Sequence, residues 1–309
     1  MSKRHSRVVD YLVYLVVRFL MAVLQALSFG AACRFAEGLA WLAYHLNRRH
    51  RLVALDNLRH AFPEMDDRQR DRLVRAVYRH FSILIVELTR MPRCVHPSTW
   101  HRHLKLIGAD KIVQHILSDR PLLFVTGHFG NWEMAGYALG LFGFKTYAIA
   151  RTLDNEYLND FLLHKFRQRT GQTILNKEGD FERIQGVLRG GGVLGTLADQ
   201  DAGQRGQFVE FFGRPASTHK AVALLAMEYD AILLVVGNPR VGRPLEYATI
   251  VEDVIDPRDY QGRPDAVKVI TERYTQALER LIRQYPEQYF WLHRRWKHQP
   301  VQRKAKRAA

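Results

Sequence analysis

A histidine and a carboxylate five positions apart, His128 and Glu133, bound the string His128-Phe129-Gly130-Asn131-Trp132-Glu133. These two residue types make the base-plus-orienter half of a catalytic triad: the carboxylate accepts from one ring nitrogen while the other nitrogen faces substrate. The string places no protein nucleophile beside them, so the attacking group would be a substrate hydroxyl. A spacing of five does not align two side chains on one continuous helix, where neighbours lie three or four apart. The pair therefore requires His128 as a last loop residue and Glu133 in a first helical turn, where the helix dipole favours a negative group. The apolar run 122–125 followed by Thr126-Gly127 supplies that setting: a buried strand, a tight turn and a helix beginning near Asn131. The same residues also fit a hydrogen-bonded loop histidine ahead of an ordinary helix start. Zinc is disfavoured, since tetrahedral sites need three or four ligands and no His-Glu-x-x-His or paired-cysteine pattern accompanies His128.

The elements that must position this pair follow from periodicity. Helices are expected at 48–61 and 69–89, the second with Leu73, Val77, Phe81, Leu84 and Leu88 on one stripe. Beyond residue 122 the pattern alternates. Strands are expected at 122–126, 146–150, 173–175, 193–198, 208–211, 232–236 and 247–251, with helices at 132–141, 156–169, 181–188 and 218–227. A last helix at 264–284, with Pro264 near its start, turns Val267, Ile270, Tyr274, Ala277 and Leu281 to a core. This alternation predicts an α/β fold: a central, mostly parallel or mixed sheet covered by helices, with reactive groups at the strand ends.

The 309 residues suffice for a full core, and no Pro/Gly/Ser-rich linker or repeat divides the middle of the chain. Cys33 and Cys94 are the only cysteines, which suits a reducing compartment. With 46 basic against 31 acidic residues the net charge is +15, a surface that attracts anionic lipid headgroups. Nucleic acid is the weaker partner, because no helix-turn-helix spacing, zinc-finger pattern or RNP-type aromatic motif is present. Residues 8–27 are mostly apolar but interrupted by Arg18, at a cost of roughly 2.5 to 3.5 kcal/mol for a central arginine. They form a marginal span or an interfacial helix, and 36–46, with Trp41 and Tyr44, suits a membrane-surface helix. The expected organisation is a membrane-anchoring segment at 1–47, a catalytic domain at 48–300 and a basic tail at 301–309. The basic flanks are expected to face the cytoplasm.

At the His128–Glu133 string the chain resembles the glycerolipid and lysophospholipid acyltransferases. It is most similar to the branch that acylates lipid A, the lauroyl/myristoyl acyltransferases of Gram-negative bacteria. Three further segments carry the resemblance in order: Arg48-Arg49 through Asn57-Leu58 to Ala61-Phe62-Pro63-Glu64; Asp199-Gln200-Asp201-Ala202-Gly203 with Phe211-Phe212-Gly213, Pro215-Ala216 and Thr218; and Pro286-Glu287-Gln288-Tyr289 with Trp291 and His293-Arg294-Arg295-Trp296-Lys297. The resemblance implies an inner-membrane O-acyltransferase that needs neither metal nor cofactor. Its donor would be acyl carrier protein and its acceptor a glycolipid.

Candidate substrate-binding positions follow. Gly130 and Asn131 lie where main-chain N–H groups at a helix start offset an oxyanion. Arg151 matches the family's phosphate-binding arginine. Of Asp199 and Asp201, which point opposite ways on an extended segment and so do not share a metal by default, one is expected at substrate or an arginine and the other at the turn. In the C-terminal signature Trp291 and Trp296 read as structural, and Arg294 or Arg295 as facing the headgroup. Two rival readings stand beside this one: the same chemistry on another glycolipid, an aminolipid or a lysophospholipid, and a non-catalytic basic protein that binds membrane or nucleic acid.

Overall fold

Four helices open the chain: α1 (Arg7–Ala26), α2 (Phe29–Leu46), α3 (Arg48–Ala61) and α4 (Asp67–Cys94). The structure, a computed structural model, describes residues 6–151, 153–162, 172–177 and 179–300. The expected basic tail at 301–309 and the second half of the helix expected at 156–169 lie outside the described residues. α4 starts at a capping box, with the Asp66 side chain accepting from Gln69 N and the Gln69 side chain accepting from Asp66 N, both at 2.7 Å. Then follow β1 (Leu104–Ile107), α5 (Ala109–Ile116), β2 (Leu122–Thr126), α6 (Trp132–Leu141), β3 (Thr146–Ala150), α7 (Glu156–Leu162), β4 (Thr173–Asn176), α8 (Phe181–Arg189) and β5 (Val193–Leu197). The chain closes with β6 (Gln207–Phe211), β7 (Arg214–Thr218), α9 (Ala221–Tyr229), β8 (Ile232–Gly237), β9 (Tyr247–Ile255) and α10 (Ala266–Gln284).

Seven strands form one sheet in the order β1-β9-β8-β2-β5-β3-β4, parallel except where β9 runs against β8. At the centre Leu122 lies opposite both Val193 and Ile232. All five β2 residues are buried because each face is covered. Leu123 and Val125 pack among residues of α8, α9 and α10. Leu122 and Phe124 join Ile112 and Ile116 of α5 and Leu139 of α6 on the other side. A second core ties α2, α3 and α4 to Phe129, Phe211, Tyr289, Trp291 and Trp296.

The fold is the expected α/β class, with local differences. The strand at 208–211 stays out of the main sheet and pairs as β6 with the unanticipated β7 in a two-stranded ribbon. β7 carries Pro215, which a two-stranded ribbon tolerates because both of its strands are edges. Thr218 ends β7, so the helix expected from that residue begins at Ala221. The edge strand β1 buries only Leu104 and therefore carries no alternating signal. Among the described residues α1 is long and apolar enough to cross a membrane, and most of it is exposed, with Val8 and Phe19 each 67% accessible. It is a candidate membrane segment.

Candidate active site

Strands β2 and β5 are neighbours and parallel, so their carboxyl ends deliver the residues after Thr126 and after Leu197 to the same place. The chain needs glycine twice to make the first of these turns. A Cβ at Gly127 would stand 3.1 Å from Asp199, displacing it. Gly130 has φ +58° and an added Cβ there would collide with Asn238 O. The turn is fastened to the C-terminal segment, with Phe290 N donating to His128 O at 3.0 Å and Gly130 N donating to Gln288 O at 2.9 Å.

Within this frame His128 Nδ1 lies 2.9 Å from Asp199 Oδ1, and Asp199 Oδ2 accepts the main-chain N–H of His128 at 2.9 Å. The hydrogen bond on Nδ1 thus comes from a carboxylate 71 residues away rather than from Glu133. Glu133, in the first turn of α6, acts on the ring through its charge. The Asp199 side chain is 1% exposed and that of His128 27% exposed, so the pair is closed at the carboxylate and open at the imidazole. With Nδ1–H donating to Asp199, Nε2 is left as a base.

Burial alone would push the His128 ring down. The Asp199 charge, its hydrogen bond and the Glu133 charge outweigh that, and the pKa is raised above its ordinary value. Burial likewise opposes the Asp199 charge, but His128, His293 and the His128 N–H hold this carboxyl down at about 2. Asp199 therefore stays ionised at any working pH.

Next to the dyad lies a cavity of about 630 Å³, counted with its open mouth, between α6 and the sheet. Its space arises from small residues in register: Gly195 of β5 sits between Phe124 of β2 and Ala148 of β3, and α6 brings Ala135 and Gly136 over them. Trp132 and Glu133 line it, and the Trp132 ring is 5.3 Å from that of His128. An apolar slot of this kind suits a hydrocarbon chain.

The other expected site residues are placed variously. Gly130 and Asn131 were expected at substrate, but both are buried, and Asn131 N donates to Asn238 O at 2.8 Å while its side chain accepts from Met134 N at 3.1 Å. They shape the turn and cap α6. Arg151 is exposed and 3.3 Å from Asp154. Asp201 has partners other than those of Asp199, accepting from His298 Nδ1 at 2.6 Å and Gly203 N at 3.2 Å, a histidine and the turn. Arg294 is exposed, whereas Arg295 is 1% exposed and donates to Ser217 O at 2.6 Å and Thr218 Oγ1 at 2.7 Å, which makes it a core strut. Trp291 is fully buried and Trp296 nearly so. Among the described residues no group of three or more His, Cys, Asp or Glu side chains is gathered as a metal would need.

A sequence profile of the family described as bacterial lipid A biosynthesis acyltransferase matches residues 1–298. The chain is 27% identical to the lipid A biosynthesis lauroyltransferase of Escherichia coli K12, over 94% of this chain and 92% of that protein. It is 24% identical to the lipid A biosynthesis palmitoleoyltransferase of the same organism, over 89% of this chain and 88% of that one. A phosphatidylinositol mannoside acyltransferase of Mycobacterium tuberculosis is 28% identical over 48% of each chain.

Proposed function

Because the chain belongs to the bacterial lipid A biosynthesis acyltransferase family, we propose that it moves a fatty acyl chain from an acyl carrier protein thioester to a hydroxyl of a lipid A-type glycolipid. The observation that carries this reading is the His128–Asp199 pair, open at Nε2, with Trp132 linking its imidazole to an apolar cavity. His128 Nε2 takes the proton of the acceptor hydroxyl as its oxygen attacks the thioester carbonyl. Collapse of the tetrahedral adduct forms the ester, breaks the C–S bond and expels the thiolate, which takes the proton back from the imidazolium. Asp199 holds the ring in the required tautomer and, with Glu133, stabilises its charged form. The first turn of α6 leaves main-chain N–H groups without helical acceptors, a suitable environment for the oxyanion. The acyl chain occupies the slot over Gly195 and Ala148. The exposed cations Arg151 and Arg294 serve the anionic parts of the substrates, and the +15 surface favours an acidic donor protein.

We assign residues 1–47 to membrane anchoring, 48–300 to catalysis and 301–309 to a basic tail, with the site on the cytoplasmic face of the inner membrane. The eleven Leu, Val and Phe residues of α1 together favour insertion by roughly 3 to 7 kcal/mol, the same order as the cost of its charged residues Asp10 and Arg18, so α1 is a marginal span. Arg18 also has local partners, the Tyr14 hydroxyl at 3.1 Å and the Phe161 ring at 5.7 Å. The likeness to a mannoside acyltransferase supports a second reading, in which the acceptor is another glycolipid. Mass spectrometry of products from purified protein, acyl carrier protein thioester and defined acceptors separates the two. Ester formation on a lipid A precursor supports the first reading, and transfer confined to other lipids refutes it.

A further inference from the structure

We propose that His80, in the middle of α4, is a positioning residue for the acyl-transfer site, acting through the Gly130–Asn131 peptide; the inference rests on the acyltransferase reading above. This peptide is pinned at both ends. Its carbonyl, Gly130 O, lies 3.4 Å from His80 Nε2, and its N–H donates to Asn238 O at 2.8 Å.

The tautomer of His80 follows from its other neighbour. Arg240 Nη1 is 3.0 Å from His80 Nδ1, and a guanidinium can only donate, so Nδ1 accepts and Nε2 carries the proton given to Gly130 O. Arg240 is itself fixed by Glu87, which is 0% exposed, accepts from Arg240 Nε at 2.9 Å and from Nη2, and takes Leu245 N at 2.7 Å. Burial and the Arg240 charge push His80 down to about 3, so the ring is neutral whenever the protein works. Each member of the chain Glu87–Arg240–His80–Gly130 thereby determines the hydrogen-bonding state of the next.

Apolar residues of similar volume would stabilise such an interior at least as well. An ionic set aimed at one peptide instead suits a geometric task. The peptide lies between His128 and the start of α6. Its direction sets the Asn131 cap and, through it, Glu133 and the Trp132 ring that packs 5.3 Å from His128 and lines the cavity.

The test uses the full-length protein in detergent with acyl carrier protein thioester and glycolipid acceptor. His80→Phe keeps the ring volume but removes both hydrogen bonds. His80→Gln offers an amide that can donate to Gly130 and accept from Arg240. A shift of about 1 Å in reacting groups costs about 10²-fold in rate, so His80→Phe is expected to lower kcat by about 10- to 100-fold with KM changed less than about twofold, and His80→Gln to restore kcat to within about fivefold. Parental kcat in His80→Phe, a change confined to KM, or a His80→Gln enzyme as slow as His80→Phe at the parental melting temperature overturns the proposal.

Should His80→Phe fail to fold, ¹⁵N chemical shifts of His80 in the parent decide. The neutral Nε2–H form is expected, and an Nδ1–H or charged ring contradicts the assignment. His128→Ala, run in parallel, separates the two levels: activity in that variant removes the base assignment, while the Phe-to-Gln comparison still reads the positioning.

Discussion

Asp199 uses both carboxylate oxygens on one residue, Oδ1 on the Nδ1 of His128 and Oδ2 on its main-chain N–H, each at 2.9 Å. The second bond fixes where the backbone of His128 stands and the first fixes how its ring is turned. A single buried anion thus governs both the position and the basicity of the proposed general base.

Replacing that anion has a calculable sign. His128 must be neutral to accept a proton, and its pKa in the folded protein lies above 6.5, so activity is present above that pKa and falls as pH drops through it. In Asp199→Asn burial prevails, and the acid limb of kcat/KM should move down, to below pH 6.5. The rate at the plateau should fall by about 10²- to 10⁴-fold, because the ring loses the partner that selects its tautomer. Glu133→Gln should move the limb in the same direction but by less, since its charge is the smallest of the raising contributions. Rate profiles between pH 5 and 9 check both; an unmoved limb in Asp199→Asn contradicts the pairing.

Gly195 should select chain length. An ideal Cβ there meets only Tyr147 O, at 3.6 Å, so the backbone tolerates a side chain that projects into the slot. If Gly195→Val displaces two methylenes of the longest acyl chain, about 1.6 kcal/mol of burial is lost, roughly a 15-fold swing in relative kcat/KM toward shorter donors. Competition between acyl carrier protein thioesters of different length reads this directly, and an unchanged preference removes the acyl chain from this cavity.

How much of this arrangement was legible in the sequence depends on distance along the chain. The run 122–125 announced β2 because its residues are apolar on both faces, and Thr126-Gly127 announced the turn. The acid expected on one ring nitrogen of His128 is Glu133, the nearest in sequence, whereas Nδ1 is held by another. Its actual partner follows β5, and only the β2–β5 pairing, which periodicity does not encode, sets Asp199 beside His128. The same applies to Arg295, whose cationic neighbours suggested a headgroup contact although its partners are Ser217 and Thr218 in the interior. Asp201 and His298 meet through another long-range contact of this kind.

Asn57 links the N-terminal motif to the C-terminal one, its Nδ2 donating to Trp291 O and His293 O, both at 2.7 Å. Asn57→Ala leaves these carbonyls without their donor and should cost about 1 to 3 kcal/mol, read as a lowered denaturation midpoint. A midpoint equal to the parent's would show that the two segments are held together otherwise.

The proposed membrane attachment through α1 is apolar and should survive salt. The protein is expected to float with vesicles of zwitterionic and anionic lipid and to stay bound at salt on the order of 1 M, where surface charge attraction is screened beyond about 3 Å. Complete release by salt would assign attachment to the basic surface instead.

The most direct test of the central claim is the turnover of His128→Ala, purified and shown to be folded by its melting temperature, with acyl carrier protein thioester and a lipid A precursor. Loss of the base predicts a kcat at least about 10²-fold below the parent at every pH, with acceptor binding retained. A folded His128→Ala enzyme that transfers acyl chains at the parental rate would contradict it.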